Sequence, residues 1–297
     1  MIESKTLGAR MGKFTVYFLL ILAAFISLAP IVNTVALSFS DSAAASAGNV
    51  YFWPKGFTFA SYEKILNDDA FISAFMVSVK RVILGGGLNM LLCILMAFPL
   101  SRNTKQFKYR NFYMWFLMFT MIFSGGIVPT YIIISKLGLI NSIWALVLPG
   151  AVPVFNVILL MNFFRGIPDS LEEAAVIDGA SPLTVLWKIF LPISLPSLAT
   201  IALFTIVAHW NSFFDGLIYI NDQNKIPLQT YLQQLVIQTQ QAAQGQLSSD
   251  ELIALSKLST ITLNAAKILV SMIPILLVYP FLQRYLIHGL VLGSVKE

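Results

Sequence analysis

Long apolar runs divided by short polar stretches dominate the chain. Six such runs stand out, at residues 14–39, 71–100, 112–134, 142–164, 197–220 and 263–286. Each holds about the 20 apolar residues that an α-helix needs to cross a bilayer. The expected fold class is therefore an all-α membrane protein with six transmembrane helices. The first run follows Lys5, Arg10 and Lys13 and precedes small residues at 43–47, the outline of a cleaved signal. It is far longer than the roughly 7–15 residues of a signal core, so it is read as a retained span. Pro30 and Asn33 interrupt it and predict a kink or a polar face turned to the bundle. Lys80 and Arg81 fall early in the second run, where long cationic side chains are expected to snorkel to the interface. Gly85-Gly86-Gly87 is followed by no Lys-Ser/Thr pair, so it reads as a close-packing stripe rather than a phosphate loop.

Between the fourth and fifth runs the pattern changes. Residues 171–192 carry Glu172, Glu173, Asp178 and Lys188 and must lie in water. Ser170 with Glu173 has capping-box spacing, as does Asp169 with Glu172 one register earlier. Good helix formers run from Leu171 to Asp178, Gly179 has the place of a C-terminal stop, and Ser181-Pro182 opens a second helix. A short helix of this kind has little to bury against in its own chain and calls for a partner.

Composition agrees: 57% hydrophobic and 11% charged residues, with a mean hydropathy of +0.78, against roughly 25% charged in soluble domains. The single Cys93 excludes a disulfide or cysteine metal cluster. The net charge of +5 follows topology rather than nucleic-acid binding. Six spans put both termini on one side, together with Lys5, Arg10, Lys13, Arg102, Lys105, Lys108, Arg110, Arg165, Lys188, Arg284 and Lys296. The opposite loops hold only Lys55, Lys64, Lys136, Lys225 and Lys257. The positive-inside rule places the termini and the 165–197 loop in the cytoplasm. The expected organisation is a cytoplasmic N-terminus (1–13), a six-span domain (14–286) and a cytoplasmic tail (287–297).

Glu173-Ala174-Ala175, three residues, Gly179, nine residues and Ile189-Phe190-Leu191-Pro192 match the EAA-x3-G-x9-I-x-LP pattern. On these residues the chain resembles the membrane subunits of binding-protein-dependent ABC importers. Gly125-Gly126, Pro129-Thr130, Asn162-Phe163-Phe164 and His209-Trp210-Asn211 are similar to the carbohydrate-uptake, maltose-permease branch, and more closely to subunits serving oligosaccharides from complex polysaccharides. The resemblance implies a type I importer permease fold and a location in the bacterial cytoplasmic membrane. It implies as partners a second homologous permease, two cytoplasmic ATPase subunits and an extracytoplasmic sugar-binding protein. It also implies ATPase coupling through Glu172, Glu173, Ala174, Ala175, Asp178, Gly179, Leu191 and Pro192, with the tail 293–297 touching the ATPases. The chain itself is expected to bind no cofactor or metal and to catalyse no reaction, ATP and magnesium belonging to the ATPases. No G-x-x-x-x-G-K-S/T is present.

A sugar path needs hydroxyl partners and aromatic faces. Tyr131, Asn156, His209, Trp210, Asn211 and Asp215 are the candidates, set against plain packing or interfacial roles. Residues 221–261 are glutamine-rich, with Leu228, Leu232 and Leu235 at helical spacing. By resemblance this loop reaches into the binding protein. Two other classes fit the residues less well. An intramembrane enzyme lacks paired carboxylates and H-E-x-x-H. A passive channel or scaffold has no use for a coupling helix. Within the importers, a permease for a peptide or polyol is the alternative.

Overall fold

The computed structural model describes residues 7–244 and 260–294. It is helical throughout, and it divides into two compact units.

The first unit joins residues 1–69 with 235–272. Its main helix, α1 (Leu7–Ser38), runs unbroken through Pro30. The hydroxyl of Thr34 bonds the Pro30 carbonyl at 2.8 Å. Most α1 side chains are exposed, Phe14, Tyr17 and Leu20 among them, as a lipid-facing helix requires. Asn33 bonds the loop after its own helix. Its amide donates to the Val50 and Tyr51 carbonyls at 3.3 and 2.7 Å, fastening the loop that follows. Two short helices, α2 (Ser42–Ser46) and α3 (Ala60–Leu66), lie in that loop. Phe39, Phe57, Phe59 and Tyr62 form an aromatic cluster beside them. In the same unit Lys267 is fully buried and its ammonium lies 2.8 Å from the Asp68 carboxylate.

The second unit joins residues 70–234 with 273–297. It is built on α4 (Asp69–Ser101), a single helix of 33 residues. The third, fourth and fifth apolar runs are not single helices. The third divides into α5 (Arg110–Ile122) and α6 (Ile127–Lys136), bent by 111°. Gly126 at φ +85° makes that corner, a conformation that suits glycine because it has no Cβ. The fourth divides into α7 (Ile143–Val147), a 3-10 turn through Gly150 and α8 (Val154–Arg165), with a 49° bend between Pro149 and Pro153. Both prolines lack the donor that would continue the ladder.

Next comes α9 (Asp169–Ile177), then α10 (Pro182–Val185), which continues through one wide π turn into α11 (Leu191–Ile193). An 83° bend leads to α12 (Leu195–Asn211), and α13 (Phe214–Tyr219) follows. The expected span at 197–220 is thus shorter than its apolar run, broken at Ser212-Phe213. Part of the glutamine-rich segment forms an amphipathic helix, α14 (Leu228–Ala243), with Leu228 and Leu235 buried, while 245–259 lie outside the described residues. The last helix is α15 (Ile261–Ser294). Among the described residues three helices are long and apolar enough to cross a membrane, and counting each of three bent pairs as one span gives up to six. The core of this unit gathers Cys93, Ala97, Val157, Leu160, Phe164, Leu186, Phe190 and Ile201, which brings α4, α8, α12 and the π turn after α10 together.

Candidate functional site

The expected site residues fall in two places in the second unit. One is a cavity of about 620 Å³ lined by α4, α7, α8, α12 and α13. The helix breaks explain why polar side chains are buried there. A broken helix leaves carbonyls without partners, and inside a membrane protein they must be satisfied locally. The Asn89 amide donates to the Gly150 carbonyl at 2.9 Å, in the break before α8. Arg81 donates to the Leu146 carbonyl on α7 at 3.4 Å and to the Ser212 carbonyl after α12 at 3.3 Å.

The same residues bond one another. The Asn89 side-chain oxygen lies 3.0 Å from the His209 Nε2, and the Asn156 amide donates to the Thr205 hydroxyl at 3.3 Å. Arg81 is 3% exposed and forms a two-pronged ion pair with Asp215, one contact at 3.0 Å. Asp215 also accepts from the Ser212 hydroxyl at 3.0 Å and the Gly216 amide at 2.9 Å. Room for the His209 ring comes from Gly85: a Cβ there would sit 2.5 Å from the His209 Cε1. The packing role expected of the glycine stripe is real at this position. Phe155, Phe204 and Tyr219 supply apolar and aromatic lining. Hydrogen-bonding groups on one wall and aromatic groups on another suit a ligand with hydroxyls and apolar faces.

Of the expected path residues, Asn156, His209 and Asp215 line this cavity. Trp210 does not; it is buried edge-on against Phe75 with ring centres 5.6 Å apart. Asn211 is exposed and outside the lining. Tyr131 stacks on Tyr219 at 6.3 Å, one ring removed from the cavity. Arg81 does not snorkel as expected, because Asp215 holds it inside, whereas Lys80 is exposed. Asn89 and Thr205 were absent from the expected list. The signal for Arg81 lay in its partner: Asp215 is the one acid inside the six apolar runs.

The second place is α9. Its start differs from the expected capping boxes: Pro168 occupies the N-cap, no side chain caps the helix, and Ser170 lies within the first turn. Proline fixes its own φ and so sets the entry. The far end is as expected. Gly179 takes φ +81°; its amide bonds the Val176 carbonyl at 3.0 Å and the Ala180 amide bonds the Ala175 carbonyl at 2.9 Å, a Schellman closure. The Ser181 hydroxyl accepts from the Thr184 amide at 3.3 Å, with Pro182 in the first turn.

Contrary to the expectation of a helix with nothing to lean on, α9 packs within its own chain. Ala175 and Ala180 touch the core, and Leu191 is buried in it. Glu172 forms an ion pair with Arg102, whose guanidinium sits over the Phe98 and Phe190 rings at 4.2 and 4.7 Å. The rest of the helix surface presents Glu173, Ala174, Val176, Ile177 and Asp178 to solvent, Ile177 being 85% exposed, and Pro192 is exposed as well. A second cavity of about 540 Å³ lies beside Glu173, Val176 and Ile177. No group of three or more potential metal ligands occurs among the described residues. Of the tail 293–297, residues 295–297 lie outside the described residues.

Broken apolar helices around a cavity with one polar wall, and a solvent-exposed polar helix in the same unit, fit a membrane permease subunit. The chain belongs to the family described as binding-protein-dependent transport system inner membrane component, whose sequence profile matches residues 70–291. It is 40% identical, over 97% of its length and 99% of the relative, to the polygalacturonan/rhamnogalacturonan transport system permease protein YtcP of Bacillus subtilis (strain 168). It is 37% identical to protein LplC of the same organism, over 91% of this chain and 90% of that one. Among solved structures it is similar to a chain of a bacterial ABC transporter involved in the import of the acidic polysaccharide alginate. The TM-score is 0.86 at 30% identity, over 96% of this chain and 99% of that one. The chain is a transport component, not an enzyme.

Proposed function

We propose that the chain carries an oligosaccharide across the cytoplasmic membrane by alternating access, as one of two homologous permeases. The cavity bounded by Arg81, Asn89, Asn156 and His209 is its share of the path. Acidic oligosaccharides of the galacturonate and alginate kinds are the first substrates to test, since relatives are named for such polysaccharides. Both termini and α9 lie in the cytoplasm, on the charge bias of the loops. Two ATPase subunits bind ATP and magnesium, and this chain binds neither. An extracytoplasmic binding protein delivers the sugar.

The observation that carries this reading is the two-sided construction of α9. Glu172 ties it to Arg102, and the outward Glu173, Val176 and Ile177 remain for a partner groove. ATP-driven closure of the ATPases moves α9, and the Glu172–Arg102 link passes that motion to α4.

The test is sugar-stimulated ATP hydrolysis by the reconstituted transporter with its binding protein. Glu173→Ala removes an outward charged contact worth roughly 1.5–3 kcal/mol. Stimulated hydrolysis falls about tenfold or more, while the chain itself remains as stable as before. Full stimulation in Glu173→Ala, or none in the native transporter with any oligosaccharide, refutes the reading.

A further inference from the structure

A third cavity, of about 450 Å³, lies where α4 ends, α5 begins and α8 ends. Three arginines line it: Arg102, Arg110 and Arg165. Ser101, Asn103, Thr104 and Gln106 add polar groups, and Asp169 is the acid in the lining. Arg102 is neutralised by Glu172, yet its Nη2 is buried without a hydrogen-bond partner. The other two converge on one acceptor. The Arg110 Nε donates to the Leu100 carbonyl at 2.9 Å, and the Arg165 Nη2 reaches the same carbonyl at 3.5 Å. Arg110 also donates from its Nη1 to the neutral Asn111 side chain at 2.9 Å. Two guanidiniums gathered on one backbone oxygen repel each other, and a bound anion would relieve that repulsion. Planar arginine forks match the oxygens of phosphate.

We infer that this arginine cavity binds a phosphate group, and that its source is the headgroup of an acidic phospholipid. The cavity sits where apolar helices meet polar loops, the depth of lipid headgroups. Directly after Arg110, the α5 residues Phe112, Trp115, Phe116 and Phe119 are all exposed. Their spacing of three and four residues puts them on one face, a surface for the acyl chains of a lipid whose phosphate lies in the cavity. Basic pockets between membrane helices bind acidic headgroups in this manner.

The assembled transporter in phosphatidylcholine nanodiscs provides the test, with bound phosphatidylglycerol counted by native mass spectrometry. Each basic group near a headgroup strengthens binding about fivefold, so Arg110→Gln with Arg165→Gln weakens phosphatidylglycerol binding about 25-fold. Lys105→Gln with Lys108→Gln, on the same loop but outside the cavity, changes it less than twofold. An equal loss in the two double variants overturns the site and leaves only diffuse surface charge. If the arginine variant fails to assemble, the native complex still decides. Excess inorganic phosphate displaces phosphatidylglycerol if the cavity reads phosphate, and failure to displace it overturns the inference. Arginine-dependent binding of inorganic phosphate without retention of phosphatidylglycerol overturns the lipid source.

Discussion

Removing one partner of the Arg81–Asp215 pair is the sharpest perturbation the cavity offers. Asp215→Leu leaves Arg81, 97% shielded, with only the Ser212 and Leu146 carbonyls at 3.3 and 3.4 Å. A buried charge stripped of its counterion costs roughly 3–5 kcal/mol. Asp215 retains 23% exposure, so water compensates in part and the lower end, about 3 kcal/mol, is expected. Replacing both partners removes the orphaned charge. Arg81→Met with Asp215→Leu should lie within about 1 kcal/mol of the native chain, because apolar substitutes for buried pairs are often neutral. The coupling energy of the double-mutant cycle is then at least about 2 kcal/mol. Thermal unfolding of the detergent-solubilised transporter measures stability, and uptake into proteoliposomes measures function. The double variant should regain most of the lost stability and still transport poorly, since the cavity has lost its charged pair. If its destabilisation equals the sum of the two single variants, Arg81 and Asp215 are not an interacting pair and the account of this wall is wrong.

Two further predictions concern single glycines. Gly85→Ala drives a methyl to within 2.5 Å of the His209 ring; overpacking of this kind costs about 1–3 kcal/mol and should lower uptake, while Gly86→Ala meets only Thr205 Cγ2 at 3.8 Å and should keep native uptake and melting. Gly179→Ala places a side chain at φ +81°, costing about 1–2 kcal/mol, and should reduce stimulated ATP hydrolysis more than it reduces assembly, both read on the purified complex.

What could be read from the sequence, and what could not, follows from the range of each interaction. The end of α9 was legible because Gly179, Ser181 and Pro182 act within a turn of themselves. Its start was misread because two capping patterns competed with Pro168, whose fixed φ prevailed. The six apolar runs were legible as hydropathy. Their internal breaks at Gly126 and between Pro149 and Pro153 were not, since averaging over a span hides a corner of a few residues. His209, Trp210 and Asn211 were proposed together, yet successive helix residues turn by 100°, so three in a row cannot face one cavity. Only His209 does. The partner of Arg81 lies 134 residues away, a separation that no local pattern encodes.

The division of labour along α9 has a consequence for how such transporters can be recombined. Glu172, Ala175 and Leu191 answer to residues of this same chain, so they travel with it intact into any foreign complex. On the proposed coupling, Glu173, Val176 and Ile177 answer to the ATPase that docks from outside. A new ATPase could therefore be adopted by changing a few outward side chains, with the interior left alone. One motor could equally serve many permeases whose cavities have diverged, provided only this outward strip is kept in common.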